Sequence, residues 1–212
     1  MKNLYRITMY ISGLLLLALG GILAIKSNLG ASPVSSLPLS ISKVSKMSLG
    51  TATTILYSSY VILQILILKK DFNIIQILQI LFAILFGKLM NLFNVSINLH
   101  IANFYIRLFI CIVSCYITAI GILFTVKANI VPIAPDGLTQ VISKKLKVEF
   151  GKIKICFDCT IVVLSIILLS LNNKGIEGLG IGTILSALLV GKILERLKNI
   201  FQIIIKKNMI TE

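Results

Sequence analysis

Six apolar runs follow one another along the chain, separated by more polar stretches, and each is close to the length of a membrane span. They hold few charged residues. A bilayer core of ~30 Å is crossed by about 20 helical residues, so each run predicts a transmembrane helix, although the last two are short. The predicted spans are residues 7–25, 51–68, 72–93, 108–126, 155–171 and 178–194.

The overall composition indicates that lipid surrounds most of the chain. Of its 212 residues, 57% are hydrophobic and 13% are charged, whereas about a quarter of a typical soluble domain is charged. So little polar material could not cover so much apolar surface in water. We therefore expect an all-α, polytopic membrane helix bundle of about six spans in the cell membrane, with no cofactor.

The positions of the basic residues indicate how the chain is oriented in the membrane. The formal net charge is +14, which in a soluble protein would suggest a nucleic-acid partner. Here the bases flank the apolar runs, so we expect no nucleic acid. A cytoplasmic N-terminus places most of them on the inner side, and an even number of spans then puts both termini in the cytoplasm. Lys2 and Arg6 before an apolar run also resemble a signal peptide.

The second half of the chain repeats the first at a constant spacing, which favours a retained first span over a signal peptide. Ordered matches of charged residues and glycines indicate a duplication. An odd number of spans per copy inverts the second copy, so we predict two three-helix repeats of inverted topology. The predicted units are residues 1–100, residues 101–198 and a basic cytoplasmic tail, residues 199–212. The matched pairs are Arg6 and Arg107, Ala18 and Ala119, Gly20 and Gly121, Lys26 and Lys127, Asn28 and Asn129, Leu37 and Leu138, and Gly50 and Gly151, followed after an insertion by Gly87 and Gly191.

Between the first and second spans of each half lies a segment rich in Pro, Gly and Ser. Such residues end helices and begin new ones, and the backbone groups freed at a break must be satisfied by water or by a solute. Helix N-termini there would favour an anionic group. Paired breaks of this kind point to a transport site, whereas interfacial helices on opposite membrane surfaces are the alternative. The candidate path residues are Asn28, Ser32, Pro33, Ser35, Ser36, Asn129, Pro135, Asp136 and Gly137.

Asp158 is the only acid well inside an apolar run. An ionisable group at membrane depth is a functional candidate, and we consider it for coupling to a proton or another cation. It lies close to the expected cytoplasmic end, however, so a salt bridge with Lys152 or Lys154 is the alternative.

Enzymatic and metal chemistry are not expected. A single histidine and no nucleophile–base–acid set argue against a triad enzyme. Cys111, Cys115, Cys156 and Cys159 lie in two different spans, where thiols pack as small hydrophobic groups, so we predict no metal site.

Short glycine-centred motifs over nearly the whole chain resemble the YczE/YyaS/YitT-type family of bacterial membrane proteins. They are Arg6, Gly13, Gly20 and Lys26-Ser-Asn28-Leu-Gly-Ala-Ser-Pro33, then Ser48-Leu-Gly-Thr-Ala, and finally Gly182-Thr-Ile-Leu with Gly191-Lys192. The resemblance implies membrane location and fold rather than an activity. Where that family has an aromatic residue and Asp after the first proline, this chain has Val34 and Ser35, and an acid stands only in the second half, at Asp136.

Two functional hypotheses follow. The first is a small secondary transporter or permease that moves an unidentified small solute across the lipid bilayer. The second is a non-transporting membrane scaffold or regulatory protein that acts through a partner. Assembly into a homo-oligomer is open under both.

Overall fold

The computed structural model describes residues 2–99, 101–175 and 178–208, which are helical apart from short connections. Five of the helices are long and apolar enough to cross a membrane, which indicates a membrane protein. In chain order the helices are α1 (Lys2–Lys26), α2 (Pro33–Ser45), α3 (Leu49–Leu68), α4 (Leu78–Ser96), α5 (Phe104–Ala128), α6 (Ala134–Leu146), α7 (Phe150–Leu171) and α8 (Ile181–Asn208).

Six of the eight described helices follow the six apolar runs in order but differ from them at the ends, and α2 and α6 lie between runs. The third predicted span, 72–93, starts with a 3₁₀ turn at Ile74–Ile77, and α4 ends at Ser96. The sixth run is the beginning of α8, which is not among the five helices of spanning character. Its apolar stretch is interrupted at Lys192, and the helix continues without a break through the start of the predicted tail at residue 199.

Helices α1 and α5 pack side by side in opposite directions. The Arg6 side chain, near the start of α1, binds the carbonyls that end α5, and Arg107, near the start of α5, binds those that end α1. The two helices approach closely at glycines, because a Cβ at Gly13 would lie 3.0 Å from the Gly121 carbonyl oxygen. Small residues permit such close contact between membrane helices.

The short helices α2 and α6 lie inside the bundle. Each packs against α3 and α7, so each contacts helices from both halves of the chain. In each helix 6 of 13 residues are buried, including the proline of the first turn. Both helices end at a lysine with left-handed backbone, Lys46 with φ of 55° and Lys147 with φ of 53°.

Candidate functional site

Helices α1 and α5 end in the same way, just before the two predicted breaks. Asn28 and Asn129 have left-handed backbone, with φ of 56° and 48°. Arg107 Nε donates to Ser27 O at 2.9 Å, and Arg6 Nε donates to Ala128 O at 2.8 Å. A second guanidinium nitrogen of each arginine donates to the asparagine carbonyl. The two asparagine side chains are exposed, so their backbone rather than their amides takes part in these contacts.

The first turn of α2 forms a hydroxyl cluster. Ser32 Oγ lies 3.0 Å from Ser35 Oγ, and Ser36 Oγ donates to Pro33 O at 2.6 Å. Ser36 Oγ also lies 3.0 Å from Ser165 Oγ of α7. Pro33 occupies the first helical position, where its missing N–H costs nothing. These four predicted residues therefore lie together, and Ser36 connects them to α7 of the second half.

The first turn of α6 packs on a buried pair of amide side chains from α3 and α4. Gln64 Nε2 donates to Gln79 Oε1 at 2.9 Å, and Gln79 Nε2 donates to Gln64 Oε1 at 3.2 Å. Gln64 Nε2 also lies 3.3 Å from Ala134 O. Gly137 allows this approach, since a Cβ there would come within 2.9 Å of Gln79 Oε1. We call Gln64 and Gln79 the amide pair.

A charged triad joins α6 to α7. Lys154 Nζ lies 3.1 Å from Asp136 Oδ1 and 2.9 Å from Asp158 Oδ1, and each of the three side chains is about one quarter exposed. The triad consists of Asp136, Lys154 and Asp158. The salt bridge expected as the alternative role of Asp158 is present, with Lys154 as its partner. One ammonium between two carboxylates leaves a formal charge of −1 in the triad.

Aromatic side chains of α3 connect the triad to the interior. Tyr60 packs edge-on against Phe157 with 5.6 Å between ring centroids, and Lys154 Nζ lies 5.8 Å from the Phe157 centroid. Tyr57 stacks on Phe86 of α4 at 5.7 Å.

Beyond Tyr57 lies a cavity of about 10 Å³, which we call the central cavity. Tyr10 of α1, Gln79 and Phe82 of α4 and Ala134 of α6 contribute to its wall. The first turn of α6 thus lies between the triad and the cavity.

The structure places the nine predicted path residues in separate places. Ser36 of α2 contacts α7, whereas Asp136 and Gly137 contact α7 and the amide pair, respectively. Sequence reasoning missed the amide pair and Tyr10. Glutamines inside the apolar runs 51–68 and 72–93 were a usable signal, because a buried amide in a membrane helix requires a partner.

The four cysteines form no disulfide and lie on two helices. Cys111 and Cys115 are buried on α5, and Cys156 and Cys159 are exposed on α7. Within the described ranges, no three potential ligand side chains come together at a metal-binding distance.

These observations define a class: an all-α protein with five helices of membrane-spanning character and two short helices packed within the bundle. The chain belongs to a family of unknown function, DUF6198, whose model matches residues 4–199. No curated protein and no solved structure matches it. The matched family carries no YczE, YyaS or YitT label, so that finer resemblance stays a prediction.

Proposed function

We propose that the protein is a small secondary transporter or permease built from two inverted units, α1–α4 and α5–α8. Each unit then contains three long helices and one short helix that enters the bundle. The solute path lies at the first turns of α2 and α6, where the two units meet.

Reciprocal contacts support the inverted arrangement. The Arg6 and Arg107 contacts are the same interaction made once in each direction. A second match occurs after the short helices, where Ser42 Oγ donates to Met47 O and Ser143 Oγ donates to Val148 O, both at 2.7 Å. A two-fold axis in the membrane plane would generate such pairs.

The observation that carries the proposal is the position of the first turn of α6. Helix N-termini have unpaired N–H groups, and membrane proteins tolerate these at depth only where protein or a water-lined path satisfies them. In this bundle the turn lies between the charged triad and the central cavity. Inward-facing polar groups of this kind are typical of transport sites.

The triad gives a physical means of coupling. Lys154 holds Asp136 of α6 and Asp158 of α7 at the same time. Protonation of either carboxylate removes one of the two ion pairs and weakens the contact between α6 and α7. Movement of α6 would then open the path from one side. Of the two carboxylates, Asp158 is the one that we propose for proton coupling.

Flux in proteoliposomes tests the proposal directly. The purified chain is reconstituted and assayed with a broad panel of small solutes, with and without a pH gradient. We expect at least one solute to move, and we expect Asp158→Asn to abolish the effect of the gradient. Asp71→Asn is the matched control, because Asp71 lies exposed in the turn after α3. No solute movement across the panel would contradict the proposal.

The small size of the central cavity is the one observation that favours the rival, a non-transporting scaffold. Single cysteines at Ser35 and Asp136 distinguish the two functions, in a background where the exposed Cys156 and Cys159 are replaced by Ser. A transporter predicts that membrane-impermeant thiol reagents label the two positions from opposite sides and that a transported solute protects them. A scaffold predicts no protection by any solute.

A further inference from the structure

The central cavity has room for a single water-sized group. Its volume of about 10 Å³ is near the lower limit of ~10–15 Å³ that a water molecule needs. It lies between α1, α3, α4 and the first turn of α6, where residues of both halves meet. In this conformation the cavity holds a ligand group of at most one or two heavy atoms.

Two of the residues that line this cavity, Tyr10 and Ala134, carry hydrogen-bond donors. The Tyr10 side chain is 1% exposed, and its hydroxyl finds no hydrogen-bond partner among the residues that the structure describes. The first intrahelical bond of α6 is the one from Gly137 N to Ile133 O, and Ile133 supplies no side-chain cap. The N–H of Ala134, which lines the cavity, therefore precedes the first helical bond. Buried polar groups of this kind normally have a partner.

The wall of the cavity selects against ions. Its described lining is aromatic, aliphatic or amide, with Tyr57, Phe82 and Phe86 as the large members and no ionised side chain. An ion would lose its hydration there without a counter-charge. The triad carries a formal charge of −1 and, through Asp136, belongs to the same first turn of α6 as Ala134 of the cavity wall. It repels an anion, while the N-terminal end of α6 opposes a cation.

We propose that the central cavity binds the uncharged oxygen of a small uncharged solute, which accepts hydrogen bonds from Tyr10 Oη and the first turn of α6. This inference rests on the proposed transport function and names its substrate class. The oxygen is a carbonyl or a hydroxyl. The cavity is too small for the rest of the solute. A movement of α6 during alternating access would open the additional space.

Three planar probes of similar size and different charge test the class: urea, guanidinium and nitrate. Their fluxes are compared in proteoliposomes holding the full chain, its Tyr10→Phe variant or the control Tyr116→Phe, whose hydroxyl lies on an exposed side chain of α5. We expect urea to move fastest. Tyr10→Phe should slow urea roughly 2- to 10-fold, as for one hydrogen bond, and Tyr116→Phe should leave it unchanged. Matching unfolding midpoints exclude a folding defect.

The inference is overturned if guanidinium or nitrate moves at least as fast as urea, or if Tyr10→Phe transports urea like the parent. Movement of charged solutes alone would also overturn it while leaving the transporter in place. If a different uncharged solute of the panel moves, the Tyr10→Phe comparison is made with that solute and decides in the same way. A complete lack of flux would instead remove the transport function and the inference with it.

Discussion

The contact between α3 and α4 yields the sharpest stability prediction. Gly50 and Gly87 face each other there, and Gly50 N donates to Asn91 Oδ1 at 2.6 Å. A Cβ at Gly50 would lie 2.7 Å from the Gly87 carbonyl carbon, and a Cβ at Gly87 would lie 2.5 Å from Gly50 O. Because both obstacles are backbone, Gly50→Ala and Gly87→Ala each force the helices apart.

The size of the effect follows from these distances. Ordinary contacts of a Cβ begin at 3.4 Å, and the Gly87 carbonyl oxygen would lie even closer to a Cβ at Gly50 than the carbonyl carbon does. The helices must therefore separate by more than ~1 Å in a close-packed interior. Overpacking of this kind costs about 1–3 kcal/mol, and strain on the Gly50–Asn91 hydrogen bond adds about 1 kcal/mol. The better helix propensity of Ala returns up to about 1 kcal/mol. We expect a net loss near 2 kcal/mol for each variant.

The repeat supplies matched controls for this experiment. Gly151 and Gly191 are the mates of Gly50 and Gly87 in the predicted repeat, yet an added Cβ at either would meet no atom of the described residues within 4 Å. Gly151→Ala and Gly191→Ala should therefore leave stability unchanged or raise it by up to about 1 kcal/mol. Replacement of Gly by Ala is thus expected to lower stability at Gly50 and Gly87, and to leave it unchanged or raise it at Gly151 and Gly191.

Thermal unfolding in detergent can be followed by a fluorogenic thiol reagent, since the chain has no Trp. Cys111 and Cys115 are buried and report unfolding once the exposed Cys156 and Cys159 are replaced by Ser. A loss of 2 kcal/mol corresponds to a decrease of roughly 4–8 °C in the midpoint. If the Gly50 and Gly87 variants unfold at the same temperature as their repeat mates, the close helix contact is wrong.

Three further predictions concern the charged side chains and the termini. Arg6→Gln and Arg107→Gln should each lower stability by about 1 kcal/mol, and the double variant should be nearly additive because the two arginines bind opposite helix ends; strong coupling between them would contradict this. Lys154→Met should lower the unfolding midpoint more than Asp136→Asn, since it strands both Asp136 and Asp158 without a counter-charge; the reverse order would refute the bridging role. Reporter fusions should place both termini in the cytoplasm, and opposite locations would exclude the inverted repeat.

The parts of the site that sequence could predict are those fixed by local backbone chemistry. Pro33 and Pro135 each lie in the first turn of a short helix, as expected from the preference of proline for that position. Left-handed backbone at Asn28 and Asn129 ends the preceding helices, because asparagine tolerates this conformation better than most residues. These features depend on neighbouring residues alone.

The pattern of apolar and polar residues could not predict contacts between residues that are far apart in the sequence. Asp136 and Asp158 were separate candidates, and only the folding of α6 back along α7 places Lys154 between them. The amide pair and Tyr10 meet the first turn of α6 across the bundle. A one-dimensional pattern carries no information on which helix faces oppose each other when every long helix is apolar on most of its surface.

The sequence alone determined that the chain is helical and suited to a membrane, and it determined where its helices break, because apolar run length, proline and glycine act through local conformation and solvation. The tertiary structure decided how equivalent residues differ. Gly87 supports a tight helix contact, while a Cβ at Gly191 would meet no atom of the described residues within 4 Å, although the two occupy matching positions in the predicted repeat. Packing depends on the partner surface, and similar sequences in the two halves do not make their partner surfaces identical.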